Sequence, residues 1–150
     1  LRADAVLQDK LRSLPNVTVT TLAADTDPQG RIPVPVLSAH AIHDATAFGE
    51  VQQVENLGFC PIGEGGAWSA SGASSLGGVR PVNPSGGLES RGHPVSATGL
   101  AQVFELVTQL RGQAGRRQVP GARIAVAENG GGLYGIEEAV AAVTILGGPR

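Results

Sequence analysis

The sequence is poor in several residue types, and each shortage excludes a class of protein. Its 150 residues contain no methionine and one cysteine, Cys60, which excludes an internal disulfide and a cysteine-based zinc site. Aromatic residues make up only 3% of the chain and charged residues 16%. The net charge of -2 argues against a nucleic-acid partner, because such proteins concentrate positive charge. We expect the basic group Arg111, Arg116 and Arg117 to form a solvated surface patch.

Long apolar runs are also lacking. No run reaches the roughly 18 residues that a membrane-spanning helix needs, so we predict no membrane span. We expect no signal peptide, and a single cysteine suits a reducing compartment such as the cytoplasm. Because the chain starts at Leu1 and lacks methionine, we expect it to be a piece of a longer protein.

What is present indicates one globular domain with an appended segment. The apolar fraction of 41% and the chain length suffice for one buried core. Residues 1–34 contain the helix-like "ADAVLQDKLRSL", the strand-like "VTVTT" and a proline-rich linker. From residue 35, "VLSAHAI" predicts a strand, and "HDATAFGEVQQVENLGF" predicts a helix closed by Gly58. Residues 60–99 read as a long glycine-rich loop.

The last third of the chain predicts one more helix and two strands. An apolar stripe with helical spacing, which Ser96 or Thr98 is placed to cap, comprises Leu100, Val103, Phe104, Val107 and Leu110. The runs "ARIAVAE" and "AVAAVTIL" have the length of buried strands and are separated by glycines 130–132. The element order therefore predicts a layered α/β domain over residues 35–150.

Two histidine motifs and one glycine motif are candidates for chemistry. His93 lies between Gly92 and Pro94 just before a predicted helix, where an imidazole can act as acid or base; packing a turn is the alternative. His43 follows a predicted strand beside Asp44, which could instead be a helix N-cap. Backbone N–H groups of "ENGGGLYG" can converge on an oxyanion, unless the motif is a turn between strands.

A metal site is not expected. His40, His43 and His93 are the only histidines, and an H-x-x-H spacing alone is weak evidence for a metal. We therefore predict no metal.

Taken together, these motifs resemble the C-terminal half of the thiolase superfamily. The family order Asn-x-x-Gly-Gly, Gly-His-Pro and Gly-Ala-Thr-Gly is kept at Asn83, Gly86 and Gly87, at residues 92–94, and at residues 96–99, where Ser96 stands for the first glycine. "HDATAFGE" and "LGFCPIGEGG" resemble the sterol-carrier-protein-type, lipid-transfer branch. The resemblance covers about residues 35–150.

The resemblance implies half of a five-layered, usually dimeric enzyme that acts on acyl-CoA thioesters without a further cofactor. Its fold would be a mixed buried sheet flanked by helices. His93 would be the catalytic base and His43 the oxyanion or water-positioning residue. The residues that would bind substrate are Asn83, Gly86, Gly87, Gly131 and Gly132.

The sequence departs from the family at its thiols. The nucleophilic cysteine belongs to the other half, and the places of a second cysteine hold Ala45 and Asn129 or its neighbours. Cys60 matches a loop cysteine of the branch.

We predict the C-terminal half of an acyltransferase of the acetyl-CoA acetyltransferase or lipid-transfer type, inactive alone. The alternatives are a non-catalytic acyl-CoA-binding, lipid-binding or dimerisation module, or a thiolase-like aldolase component with Tyr134 as possible acid/base.

Residues 1–21 resemble a different family. Their helix-then-strand pattern is similar to part of the alkyl hydroperoxide reductase flavoprotein subunit, which would make the chain composite; chance similarity is the alternative. The segment carries no Gly-x-Gly-x-x-Gly and no Cys-x-x-Cys, so it predicts no flavin or redox chemistry.

Overall fold

The computed structural model describes residues 39–135 and 137–148, which form a mixed sheet with helices packed against it. Strand β1 (Ala39–Ala41) runs parallel to β2 (Ile124–Tyr134), and β2 runs antiparallel to β3 (Glu137–Gly147), in the order β1-β2-β3. This confirms the predicted α/β class. The helix, strand and linker predicted over residues 1–34, and the resemblance over residues 1–21, lie outside the described residues.

Four α-helices connect β1 to β2. They are α1 (Ala47–Asn56), α2 (Gly65–Ala70), α3 (Gly87–Arg91) and α4 (Thr98–Leu110), followed by a 3-10 turn at Gly115–Arg117. The region 60–99, predicted as loop, therefore contains α2 and α3, which are too short to show an apolar periodicity.

Helix α1 begins and ends at local signals. Gly58 adopts a left-handed φ of 72° just beyond its last turn, as predicted. The N-cap is Thr46, whose Oγ1 accepts from Gly49 N at 3.0 Å. The alternative that Asp44 caps this helix is therefore wrong.

The core between α4 and the sheet is built from small side chains. Leu106 of α4 and Val119 pack on alanines that share one face of the two parallel strands, Ala39, Ala41, Ala125 and Ala127. A second cluster of Ile42, Val54, Phe59 and Val82 lies under α1. The two clusters hold the end of β1 between them.

The apolar stripe of α4 does not mark its buried face. Leu100 and Phe104 are 75% and 72% exposed. Beside Leu106, the buried positions are the polar residues Thr98, Gln102, Glu105 and Gln109. Buried polar side chains are tolerated where they find partners: Gln109 Nε2 donates to Arg117 O at 2.7 Å, and its Oε1 accepts from Val119 N at 2.8 Å.

Two further sequence predictions are corrected. The N-cap of α4 is Ala97, which makes no side-chain cap bond, so neither Ser96 nor Thr98 caps the helix. Glycines 130–132 do not separate two strands, because β2 continues through them and Gly131 pairs with Val140. The turn comes later, after the Tyr134–Glu137 pair, where Gly135 has a φ of 67°.

Candidate functional site

The two candidate catalytic histidines lie together at one edge of the sheet. His43 follows β1, and His93 precedes α4. A cavity of about 470 Å³, here called the histidine pocket, is lined by residues that include His43, His93, Thr98, Gln102, Asn129 and Gly131. Because β1 and β2 are parallel and Ala41 pairs with Ala127, the segments that carry His43 and Asn129 continue side by side.

The two imidazoles are in direct contact. His43 Nε2 lies 3.4 Å from His93 Nε2, with ring centroids 4.9 Å apart and planes inclined at 63°. A hydrogen bond between two imidazole nitrogens needs one protonated and one unprotonated atom. The pair can therefore hold and relay a proton at the pocket.

Helix α4 fixes the segments that carry both histidines. Thr98 Oγ1 lies 2.8 Å from His93 Nδ1. Gln102 Nε2 donates to Glu128 O at 2.8 Å, and Glu128 Oε2 accepts from His43 N at 3.1 Å. The sequence analysis did not assign Gln102 or Glu128 to the site, and it gave Thr98 a place in a family motif and a possible capping role but no contact with His93. The spacing of Thr98 five residues after His93 was the one local signal, and it is compatible with both roles.

The glycine motif contributes backbone to the same pocket. Gly131 and Gly132 both line it, and Gly132 has a φ of 69° between the Gly131–Val140 and Leu133–Glu138 pairs of β2 and β3. Their proposed role near an acyl carbonyl stays a prediction. Tyr134 is the last residue of β2, and its side chain lies outside the described part of the structure.

The other predicted substrate-binding residues, Asn83, Gly86 and Gly87, do not line the histidine pocket. Asn83 Oδ1 accepts from Ile42 N at 2.9 Å, and Leu88 N donates to Asp44 Oδ1 at 2.8 Å beside Gly87. These contacts hold the Asn83 segment against the end of β1. A role in binding substrate stays a prediction for all three.

A separate acidic cavity of about 330 Å³ lies on that side, lined by residues that include Asp44, Glu50, Asn83, Gly86 and Glu89. Burial raises the pKa of Asp44. Burial, and then the charge of Asp44, raise the pKa of Glu50.

His40 is placed apart from the other two histidines. It is fully buried, its Nδ1 lies 2.9 Å from Pro81 O, and its ring contacts Phe59 edge-on at 4.5 Å between centroids. Burial lowers the pKa of His40 to about 4. Within residues 39–135 and 137–148, no three histidine, cysteine or acidic side chains are arranged to hold a metal ion.

Cys60 is not part of the histidine pocket. It is partly buried against the cluster of Ile42, Val54, Phe59 and Val82. Burial raises the pKa of the Cys60 thiol, and the charges of Glu55 and Glu64 add to this effect. The part of the chain that the structure describes therefore brings no thiol to His93.

Comparison with known proteins decides the family. A family model described as "Thiolase C-terminal domain-like" matches residues 29–147. The chain belongs to this family. This thiolase C-terminal-like domain is 53% identical over 88 residues to sterol carrier protein 2 of Rattus norvegicus, covering 59% of this chain and 16% of the relative. That identity supports the sterol-carrier-protein-type branch.

Two further relatives extend the comparison. An acetyl-CoA acetyltransferase of Methanothermobacter thermautotrophicus is 51% identical over 94 residues, covering 63% of this chain and 24% of the relative. A solved structure titled "Ltp2-ChsH2(DUF35) aldolase" matches with a TM-score of 0.64 and 25% identity, over 78% of this chain and 28% of that one. The matches span 16% of the length of sterol carrier protein 2 and 24% of the length of the acetyltransferase.

The family match begins at residue 29, ahead of the boundary predicted at residue 35. It does not reach residues 1–21, so their resemblance to a flavoprotein stays a prediction. None of the helices in the described residues is long and apolar enough to cross a bilayer.

Proposed function

We propose that this domain supplies the histidine half of an active site that transfers acyl groups between thioesters of coenzyme A. The observation that carries the proposal is the direct contact of His43 and His93 in a pocket walled by the glycines of β2. General-base catalysis needs an imidazole within hydrogen-bond reach of the proton that it removes.

The proposed step needs a thiol from outside the described residues. His93 accepts the thiol proton, the thiolate attacks the acyl carbonyl, and the resulting oxyanion is stabilised by a donor such as the His43 N–H. Collapse of the intermediate expels coenzyme A as a thiolate, which takes the proton back from His93 and leaves as the free thiol. The acyl group then stays on the enzyme for the second half-reaction.

The surface beside the pocket supports a site completed by a second protein part. Leu100 lines the pocket and is largely exposed, as is Phe104 one helical turn later. Exposed apolar side chains that border a functional cavity are typical of an interaction surface. We therefore expect this chain alone to show no turnover, and we expect the complete protein to be a homo-oligomer as in its family.

A chimera tests this function. The matching 94-residue region of the Methanothermobacter acetyltransferase is replaced by that of this chain, and cleavage of acetoacetyl-CoA by coenzyme A is followed by thioester absorbance. We expect His93→Ala to lower kcat by at least about 100-fold, since general bases contribute roughly 10²–10⁴-fold. His40→Gln is the matched control and should leave kcat unchanged. Turnover that survives His93→Ala would contradict the proposal.

An aldolase component is the second candidate. Two observations favour it: the described residues bring no thiol to the pocket, and the fold is similar to the solved Ltp2-ChsH2(DUF35) aldolase. In that reaction a base removes the proton of the 3-hydroxyl group of a 3-hydroxyacyl thioester. The C2–C3 bond then breaks, an aldehyde or ketone leaves, and the enolate of the shorter thioester is protonated. Retro-aldol cleavage consumes no coenzyme A, whereas thiolysis consumes one per turnover. Incubating the chimera with a 3-hydroxyacyl-CoA and measuring release of an aldehyde or ketone tests the aldolase reaction, while loss of one free thiol per turnover with acetoacetyl-CoA reports thiolysis. A Tyr134→Phe variant tests its acid/base role.

A further inference from the structure

The hydroxyl of Thr98 lies between two groups that compete for its single proton. Thr98 is the first residue of α4 and is 5% exposed. Its Oγ1 lies 2.8 Å from His93 Nδ1 and 3.3 Å from the carbonyl oxygen of Pro94.

Hydrogen-bond chemistry selects one arrangement of protons. A carbonyl oxygen only accepts, so the Thr98 proton is the one that can reach Pro94, and Oγ1 is then left to accept from a protonated His93 Nδ1. In the opposite arrangement Thr98 donates to Nδ1, and the bond to Pro94 is not made. Pro94 O also accepts from Ala97 N at 2.8 Å and from Thr98 N at 3.1 Å, so it is held in place as an acceptor whichever way the hydroxyl turns. Only the first arrangement gives the hydroxyl both a donated and an accepted hydrogen bond.

We propose that Thr98 is the positioning residue that holds neutral His93 as its Nδ1–H tautomer. The lone pair is thereby on Nε2, the atom that faces His43 across 3.4 Å. It follows that His43 donates from its own Nε2–H. One hydroxyl on α4 thus sets the proton positions of both imidazoles in the pocket.

The inference deepens the proposed function, and the base role of Nε2 rests on that function. A base must present an unprotonated nitrogen to the incoming proton, so the thiol takes the place of the His43 donor at Nε2, which frees the His43 N–H for the oxyanion. If Nδ1 lost its acceptor, the proton could move to Nε2, and the histidine would face the pocket as a donor. The tautomer itself does not depend on any reaction and can be measured without substrate.

Long-range nitrogen-15 NMR of the full chain, labelled on histidine, tests the proposal. The chain has 3 histidines, so each ring can be assigned by substitution. The spectra are recorded at about pH 8.5, where a histidine of ordinary pKa, about 6.5, is neutral and its two tautomers are distinguishable. His40 is an internal reference, because the Pro81 carbonyl can only accept from a protonated Nδ1. We expect His93 to show the same Nδ1–H pattern.

Three variants identify the hydroxyl as the cause. Thr98→Val should lose the Nδ1–H pattern of His93 and show protonated Nε2, whereas Thr98→Ser should retain the wild-type pattern. Thr108→Val is the matched control: Thr108 Oγ1 donates to Phe104 O at 2.8 Å on the same helix and contacts no histidine. It should leave the His93 signals unchanged.

Two results would overturn the proposal. One is wild-type His93 protonated on Nε2, which decides the matter even if Thr98→Val fails to fold. The other is a folded Thr98→Val protein, recognised by unchanged His40 signals, that keeps the Nδ1–H pattern. Either result leaves the thioester function to its own assay, while loss of that function would not alter the NMR pattern.

Discussion

Two histidines three residues apart on the same chain segment have opposite environments. His40 is fully buried against Phe59 and bonded to a carbonyl, and burial lowers its pKa to about 4. His43 lies at the surface of a cavity and contacts another imidazole. The difference shows that the presence of a histidine does not define a site. The burial of the ring and the hydrogen-bond partners of its nitrogens do.

The same contrast holds for the two motif regions. On the Asn83 side, the side chains of Asn83 and Asp44 are bonded to backbone N–H groups and serve the fold. In the histidine pocket, His93 is bonded to side chains whose protons can be exchanged. We therefore expect substitutions on the first side to lower stability, and substitutions in the pocket to alter proton positions or turnover.

Gly87→Ala should give the largest effect on stability. An added Cβ would overlap the buried Asp44 carboxylate, and the backbone φ of 59° is strained for any residue with a side chain. We expect a loss of about 4 kcal/mol in the free energy of unfolding, from overpacking and backbone strain together. Urea denaturation measures it.

Gly112→Ala is the matched control for this prediction. Gly112 has a φ of 68° but no atom within 4 Å of the added Cβ, so only the backbone strain applies. We expect a loss of about 1 kcal/mol. Equal losses at the two glycines would show that Gly87 is not packed against Asp44 in solution.

The acid sensitivity contributed by His40 should be the next largest. The unfolded chain protonates His40 near pH 6.5 and the folded chain only near 4, so its contribution to stability is complete above 6.5 and is lost as the pH falls to 4. This shift corresponds to about 3 kcal/mol. Urea denaturation at about pH 7 and pH 4 gives the loss of unfolding free energy between the two pH values for each protein. We expect this loss to be about 3 kcal/mol larger in wild type than in His40→Gln.

Comparing wild type with His40→Gln separates the effect of His40 from that of the nearby acids. The pKa values of Asp44 and Glu50 are raised by burial, so their contribution has the opposite sign and is lost as the pH rises through those values. Both acids are present in both proteins. A His40→Gln variant with the same pH dependence as wild type would mean that His40 is not buried as a neutral ring.

Changes at Cys60 should be the smallest. The raised pKa of its thiol lowers the thiolate fraction, so iodoacetamide should alkylate it more slowly than free cysteine at neutral pH. Cys60→Ala should cost about 1 kcal/mol, because only part of the side chain is buried. Neither change should shift the His93 NMR signals. A shift would place Cys60 in contact with the pocket and weaken the contrast between the two regions.

Local features were predictable where they depend on neighbours in sequence. The end of α1 at Gly58 and the helical extent of α4 follow from capping geometry and periodicity. The thiolase resemblance was also readable, because the order of short motifs is a property of the sequence. Which face of α4 packs on the sheet could not be predicted, because Leu100 and Phe104 of its apolar stripe are exposed and its buried face is mostly polar.

The family, the α/β class and the two candidate catalytic histidines could be predicted from the order of residues along the chain. Three features became visible only in the folded chain: His43 and His93 touch, Asn83 and Gly86 line a different cavity, and the Thr98 hydroxyl contacts His93 Nδ1. The physical reason is distance along the chain. His43 meets His93 across 50 positions and Glu128 across 85, and only the parallel pairing of β1 with β2 under α4 closes those separations.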